Sequence, residues 1–441
     1  MYQPFIFKLN SGKTDFLEKR EKDSKDLILS ATMNYPLFSL GFHPYISRTK
    51  DAMSITKNLD TKNEFYYVVN PFEDNISNYA DSINSLTKHY LNIKTDNLDI
   101  QSRSFYKMWE MLFLFDLCNK KEMTIATISE GPGAFTQAVI NFREKFHNGV
   151  GKDNIFNVMV NPEKGKVSET GKQFLGQYNM MYPELIDVKE YGAVNMVKTI
   201  SAFKKDVEKS KTFAHLVLAN GELNWEEENY MEQEAYQLIL GEIVAALRVQ
   251  EKDGNFVLKI FDTFTLTSIK MIYILSSFYE TTYIYKPYFS RQINSEKYIV
   301  CKGFKYDQKK DSVVLNTKIK AMEMVLEKMT SNSFVFDIFP DFIVPREFVE
   351  RFKFINIKVA NAQQIMINDL ILYIKENNYF GDKYHTYRDN QIAATKWWVG
   401  NFYPPTDNVY QKNKEELQKM LNTSIEKYNM EETKFLSVLV K

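Results

Sequence analysis

The chain has 441 residues, 44% of them hydrophobic and 15% aromatic, which excludes a disordered protein and allows two or three domains, or one large domain with extensions. Lysine plus arginine number 56, as do aspartate plus glutamate, so no global field draws the chain to nucleic acid and only a local groove would do so. The two cysteines, Cys118 and Cys301, read as buried thiols that suit a reducing compartment, and with no signal peptide, membrane-length apolar run or lipidation signal the expectation is a soluble, intracellular protein.

From the N-terminus, MYQPFIFKL reads as a strand, DFLEKREKDSKDLIL as a charged, solvated helix, and YYVVNPF as a strand ended by Pro71. DSINSLTKHYLNI predicts a helix starting at Asp81 or Ser82. RSFYKMWEMLFLFDLC is an amphipathic helix with Lys107 beside its apolar surface. MTIATISEGPGAFTQAVINFREKF is strand, glycine-containing turn and helix, with Glu130 at the end of the strand. IFNVMV is a strand running to Asn161-Pro162, PELIDV ends in Asp187, and NMVKTISAFKKDVEK is helical. FAHLVLAN is a strand ending at Asn220-Gly221, and EENYMEQEAYQLILGEIVAALRVQ is a long helix stopped by a turn at Asp253-Gly254. FVLKIF, LTSIKMIYILSSF, TTYIYK and KYIVCK then read as strand, helix, strand and strand. This alternation predicts a parallel, doubly wound sheet, whereas the pattern after residue 310 turns mainly helical, with breaks at Pro340, Pro345, Pro404 and Pro405.

Two constellations carry chemistry. The first is the run Ser129, Glu130, Gly131, Pro132, Gly133, Ala134 and Phe135 after a strand. Small residues let backbone amides approach a ligand, a helix N-terminus favours an anion or a carboxylate, and ligands of α/β sheets sit beyond the carboxyl ends of the strands. The run matches neither the phosphate-loop nor the three-glycine dinucleotide pattern, so a plain tight turn stands beside the ligand-loop reading. The second is the quartet Lys107, Asn220, Lys259 and Glu296, placed at strand ends or on a flanking helix. An unpaired charge is costly in an apolar strand. A snorkelling lysine and an edge glutamate explain each one singly; their joint placement at one end of a sheet favours a site. The histidines are scattered, which argues against a metal centre. Trp397-Trp398 with Tyr403 either stack on a base or pack a helix end, and Lys302, Lys305, Lys309 and Lys310 either touch phosphates or form a solvated loop.

Several of these stretches, taken together, are similar to a known family. FVLKIFDTFT, EGPGAF, EQEAYQLILGEIVAAL, RSFYKMWEM and above all KPYFSRQINSEKYIVCKGF resemble the FtsJ-like ribose 2'-O-methyltransferases, most closely the mRNA-cap-specific branch of eukaryotes and large DNA viruses, over residues 100–305. The resemblance implies a Rossmann-like methyltransferase sheet of seven strands, helices on both faces, and an antiparallel last pair. An N-terminal α/β extension (1–100) and a mostly helical C-terminal region (306–441) would flank the methyltransferase domain (101–305). It implies S-adenosyl-L-methionine as cofactor, bound by Ser129 to Phe135 with Asp187 near its base. It also implies RNA as partner, at the capped 5' end of mRNA, alongside other capping or transcription proteins. A cytoplasmic location follows, in the host cytoplasm or the virion if composition and family are read as viral.

The family's catalytic tetrad is Lys-Asp-Lys-Glu, carried here by Lys107, Asn220, Lys259 and Glu296. LVLANGELNW matches the family's run on both sides of position 220, so an asparagine stands where an aspartate is expected, and Glu222 is the nearest acid after it. A lysine that takes the 2'-hydroxyl proton needs a pKa well below the ordinary ~10.4, and a second ammonium and burial both push that way. Asparagine keeps the shape but deletes a charge. One lost charge-assisted hydrogen bond costs about 1.5–3 kcal/mol, or roughly ten- to a hundredfold if it falls wholly on the barrier. Two readings follow: a slowed 2'-O-methyltransferase, and an inactive relative that serves as an RNA- or protein-binding scaffold.

Overall fold

The computed structural model describes residues 2–20, 25–33, 43–53, 65–76, 79–92, 99–130, 133–147, 153–158, 186–189, 197–209, 212–221, 230–329 and 333–439. Its central sheet is built from β1 (Phe5–Leu9), β3 (Thr124–Ile128), β4 (Asn154–Val158), β5 (Ile186–Lys189), β6 (Ala214–Ala219), β7 (Gln250–Ile260), β8 (Tyr279–Lys286) and β9 (Lys297–Phe304). The order across it is β1-β8-β9-β7-β6-β3-β4-β5. The strands from β7 to β5 run parallel, while β9 is antiparallel to both β7 and β8. All five residues of β3 are buried, as expected of a strand covered on both faces.

The seven strands expected of the methyltransferase sheet are joined by an eighth. β1 pairs antiparallel with β8, from Phe5 opposite Lys286 to Leu9 opposite Thr282. It thereby covers the row of backbone groups that β8 would otherwise present as an open edge.

Helices cover both faces. On one lie α4 (Ser104–Phe115) and α5 (Ala134–His147); on the other lie α6 (Val197–Lys209), α8 (Tyr236–Val249) and α9 (Leu266–Ser277). A single-turn α7 (Met231–Glu234) precedes α8, so the one long helix expected there is two. Further along come α10 (Ser312–Lys328), α11 (Arg346–Glu376), α12 (Asp382–Phe402) and α13 (Asp407–Leu439). Near the N-terminus are α1 (His43–Ala52), α2 (Tyr66–Val69) and α3 (Ile83–Tyr90), the last with Ser82 at its N-cap. No helix among the described residues is long and apolar enough to cross a membrane.

Several local expectations are corrected. YYVVNPF is the helical turn α2: Val68 and Val69 pack with Phe65 against Leu370, Tyr373 and Ile374 of α11, and that packing overrides their β propensity. DFLEKREKDSKDLIL begins as a 3-10 turn, Asp15–Lys19, and ends as strand β2 (Leu27–Ser30). β2 pairs with β10 (Phe334–Ile338), a strand unforeseen in the helical C-terminal stretch because its partner lies about 300 residues earlier in the chain. The turn at Asp253-Gly254 lies inside β7, which starts at Gln250, and Asp253 takes a φ of 62° without ending the strand. Asn161-Pro162 lies outside the described residues.

Candidate active site

The rim at the carboxyl ends of β7, β6, β3 and β4 gathers the residues singled out in the sequence. Lys259 and Tyr298 are directly opposed across β7 and β9, which places both side chains on the sheet face covered by α4. Lys107 reaches the same place from the first turns of α4. Its Nζ donates to Glu296 Oε1 at 2.6 Å and to Oε2 at 2.9 Å. Tyr298 donates its hydroxyl to Glu296 Oε1 at 2.6 Å. All four side chains are buried, and Lys259 is 4% exposed.

Burial alone would raise the Glu296 carboxyl. The charges of Lys107 and Lys259 and the hydrogen bonds from Lys107 and Tyr298 outweigh it and hold the group well below the usual carboxylate range. Burial lowers the Lys107 ammonium, Glu296 opposes that shift, and Lys259 adds to it. Lys107 thus faces a carboxylate and a second lysine in a desolvated place, where burial and the Lys259 charge favour loss of its proton against the pull of Glu296.

The Glu296 loop is held by residues that the sequence signature contains but to which no role had been attached. Lys286, at the end of β8, donates to the Asn294 carbonyl at 2.9 Å, Asn294 Oδ1 at 3.1 Å, the Glu296 carbonyl at 2.8 Å and Ser290 Oγ at 3.2 Å. Burial lowers its ammonium to about 7, with Glu296 opposing the shift. Lys297 donates to the carbonyls of Phe261 and Ser295, which ties the Glu296 turn to the end of β7. Four carbonyl and side-chain acceptors on one lysine explain why K-P-x-x-S-R-x-x-N-S-E-K-Y reads as a unit: the motif is a clamp that aims Glu296.

A second clamp is Glu110, one turn beyond Lys107 on α4. It accepts hydrogen bonds from Tyr285 Oη at 3.1 Å, Tyr288 N at 2.8 Å, Phe289 N at 3.3 Å and Trp398 Nε1 at 3.0 Å. Burial pushes its carboxyl up to about 8 despite these donors. Trp398 and Tyr403 are therefore core residues; Tyr403 also hydrogen-bonds Thr87 at 2.7 Å. Lys302 donates to the Phe115 carbonyl, and Lys305 to Ser11 Oγ and the Ser277 carbonyl. On the outer flank, Arg103 and Arg291 both pair with Glu73, and the Arg291 guanidinium lies 3.3 Å from the centroid of the Tyr66 ring.

The left part of the rim is different in kind. Glu130 turns back on α5, accepting from Phe135 N, from Thr136 N at 3.1 Å and from Thr136 Oγ1 at 2.6 Å. The carboxylate that this helix N-terminus favours is therefore the chain's own, and burial raises it to about 7 against those donors. Ser129 and Gly133 take left-handed φ values of 59° and 84°, which bends the chain sharply from β3 into α5. Gly131 and Pro132 lie outside the described residues, as do Glu222 and the side chain of Asp187; the backbone of Asp187 pairs with Phe156 in β5.

Around this turn are buried polar atoms without a hydrogen-bond partner among the described residues. They are Asn220 Oδ1, both side-chain polar atoms of Asn157, Thr127 Oγ1 and Ser129 Oγ; the Ser129 hydroxyl adjoins the Glu242 carboxyl without a bond at hydrogen-bonding distance. Buried polar atoms are almost always satisfied, so a row of neutral ones at the carboxyl ends of three parallel strands fits a polar organic ligand that supplies the missing partners. No metal-binding cluster of His, Cys, Asp and Glu occurs among the described residues. Asn220 thus sits between the neutral rim and the charged one.

Residues 100–304 match the family model described as FtsJ-like methyltransferase. The chain is 31% identical over 224 residues to the mouse cap-specific mRNA (nucleoside-2'-O-)-methyltransferase 1, covering 46% of this chain and 26% of that protein. It is 30% identical to the human protein over the same length and shares. It is also 24% identical over 288 residues to the Caenorhabditis briggsae inactive cap-specific mRNA (nucleoside-2'-O-)-methyltransferase 1B, covering 64% of this chain and 32% of that one. The chain therefore spans about a quarter to a third of the length of these relatives. Among solved structures, a ribosomal RNA methyltransferase of Plasmodium falciparum aligns with a TM-score of 0.32 and 16% identity, over 46% of this chain and 98% of that one. The similarity to the FtsJ-like methyltransferases thus extends over residues 100–304, from α4 to the end of β9.

Proposed function

We propose that the chain is an S-adenosylmethionine-dependent RNA ribose 2'-O-methyltransferase that acts at the capped 5' end of mRNA. The observation that carries this reading is the buried Lys107–Glu296–Lys259 arrangement beside the row of neutral, unpartnered polar atoms at the strand ends. The relatives named for cap-specific mRNA methylation supply the substrate class. S-adenosylmethionine, when bound, supplies a methyl group made electrophilic by its sulfonium. Ser129, Asn157 and Asn220 would hold it by their free polar atoms, with Thr127 beneath them and Asp187 near its base.

Lys259 is the base. Its Nζ would take the proton of the ribose 2'-hydroxyl, leaving that oxygen nucleophilic towards the methyl group that the cofactor would supply. Glu296 holds Lys107 by a salt bridge, which would set the Lys107 amine beside Lys259. Surrounding side chains exclude water from the pair, which strengthens each of these interactions.

The test is calorimetry with S-adenosylmethionine, followed by methyl transfer to capped RNA whose first nucleotides carry a free or an already methylated 2'-oxygen. Binding and transfer confined to the free 2'-hydroxyl is the expected result; no binding overturns the reading. A second reading, a scaffold that binds RNA without catalysis, is favoured by Asn220 alone. It predicts binding without transfer, and transfer that appears on Asn220→Asp.

A further inference from the structure

The chain before α4, outside the stretch that matches the methyltransferases, brings a carboxylate to two arginines beside the Lys107–Glu296 pair. Arg103 is the N-cap residue of α4, and its carbonyl accepts from the backbone N–H of Lys107 at 3.4 Å, one turn on. Arg291 belongs to the loop that Lys286 clamps, and its carbonyl accepts from the N–H of Asn294 at 3.2 Å. Both guanidiniums converge on Glu73. Arg291 grips it with two parallel bonds, Nε to Oε1 at 3.1 Å and Nη2 to Oε2 at 3.0 Å, and Arg103 Nη1 also meets Oε2. Arg103 Nη2 is fixed by the carbonyls of Phe289 at 2.7 Å and Phe72 at 3.2 Å, while Asp74 Oδ1 lies 3.7 Å from Nη1.

The fork of a guanidinium fits carboxylate and phosphate oxygens alike, and a carboxylate carries the same single charge as one phosphodiester. The place is open on the arginine side: the side chains of Arg103 and Arg291 are 18% and 23% exposed, against 6% for Glu73. Tyr66 of α2 is 40% exposed, and the Arg291 guanidinium lies against its ring, 3.3 Å from the centroid. An exposed aromatic ring beside an arginine is the equipment of single-strand RNA recognition, where a base stacks on the ring and the backbone meets the cation. The N-terminal end of α4 adds its own attraction for an anion.

We propose that Arg103 and Arg291 form a seat for a backbone phosphate of the RNA strand beside the reacting nucleotide, that Tyr66 stacks on a neighbouring base, and that Glu73 fills the seat until RNA displaces it. The proposal deepens the reading of RNA as substrate and rests on it. Its consequence is the reverse of what a purely structural ion pair gives: without the Glu73 charge RNA binds more tightly, because the phosphate no longer competes with the chain's own carboxylate.

Fluorescence anisotropy of the full chain with a short, labelled, uncapped single-stranded RNA, without cofactor and at several salt concentrations, tests it. Glu73→Gln should bind about tenfold more tightly than the natural chain. Arg291→Gln should bind about tenfold more weakly, with a log–log salt slope shallower by about 0.7, the loss of one phosphate contact. Tyr66→Ala should lose about tenfold, while Tyr66→Phe keeps the natural affinity. Glu73→Gln that folds by circular dichroism and binds no more tightly than the natural chain overturns the proposal. So does natural affinity in Arg291→Gln or Tyr66→Ala, and these two variants decide the matter if Glu73→Gln does not fold. Methyl transfer to capped RNA is read separately. The expected binding pattern in a chain that transfers nothing keeps the seat and removes the methyltransferase reading, whereas transfer with all variants binding alike does the reverse.

Discussion

The two halves of the strand-end rim are built on opposite principles. Over β7 and β9 charged groups meet partners from the fold: Lys107 and Tyr298 meet Glu296, Lys286 is spread over four acceptors, and Lys297 grips two carbonyls. Over β3, β4 and β6, apart from Glu130 turned back on α5, Thr127, Ser129, Asn157 and Asn220 present neutral polar atoms that lack partners among the described residues. The charged half is assembled by the fold itself, as the proposed proton transfer requires. The neutral half is completed by whatever binds there. Substitutions should therefore split by side, with stability lost on the first and ligand affinity on the second.

The largest effect is expected at Glu296. Glu296→Ala leaves the Lys107 ammonium buried without its carboxylate and should cost about 3–5 kcal/mol of stability together with transfer. A melting temperature equal to that of the natural chain would show that the pair is not desolvated as described. Next is Gly221→Ala, whose methyl group meets the Glu242 carboxyl and Leu238; chemical denaturation should register about 1–3 kcal/mol. On the neutral side, Ser129→Ala should leave the denaturation midpoint unchanged, since no protein hydrogen bond is lost, while weakening S-adenosylmethionine binding about fivefold in calorimetry. The opposite pattern, lost stability with unchanged affinity, would erase the distinction between the two halves.

The smallest expected effect is a pH slope. Glu110 is raised to about 8 by burial, so it favours the folded state when protonated. Its contribution is complete below the ordinary carboxylate range and is lost as pH rises through about 8; Glu242, also about 8, and Glu130, about 7, act in the same direction. Glu110→Gln should flatten the fall in melting temperature over that interval relative to the natural chain. An unchanged slope would mean that Glu110 is already ionised in the fold.

What was legible in the sequence follows the same division. A lysine inside FVLKIF and a glutamate before KYIVCK stand out because charge in an apolar strand needs a reason, and the long signature around Glu296 is a continuous stretch of chain. The strand-helix alternation marks out the sheet from β3 to β9 because parallel strands covered on both faces are short, apolar and evenly spaced. Glu242 and Glu110 were missed because a charged residue on a periodic helix is taken to face solvent. Here α4 is covered on its outer side by C-terminal helices, with Trp398 of α12 bonded to Glu110, and α8 is buried between the sheet and α10. Helix periodicity reports one apolar face and cannot reveal a second layer supplied from elsewhere in the chain. For the same reason Tyr66–Val69 read as a strand: its partner, α11, is a helix remote in sequence.

In the proposed function Lys259 takes the proton of a ribose 2'-hydroxyl. The most direct test compares the natural chain with Lys259→Ala in transfer of a labelled methyl group from S-adenosylmethionine to capped RNA, after calorimetry has shown that both bind the cofactor equally. Label is expected on the 2'-oxygen with the natural chain, with a loss of at least about a hundredfold in the variant. Equal transfer by the two proteins would contradict it.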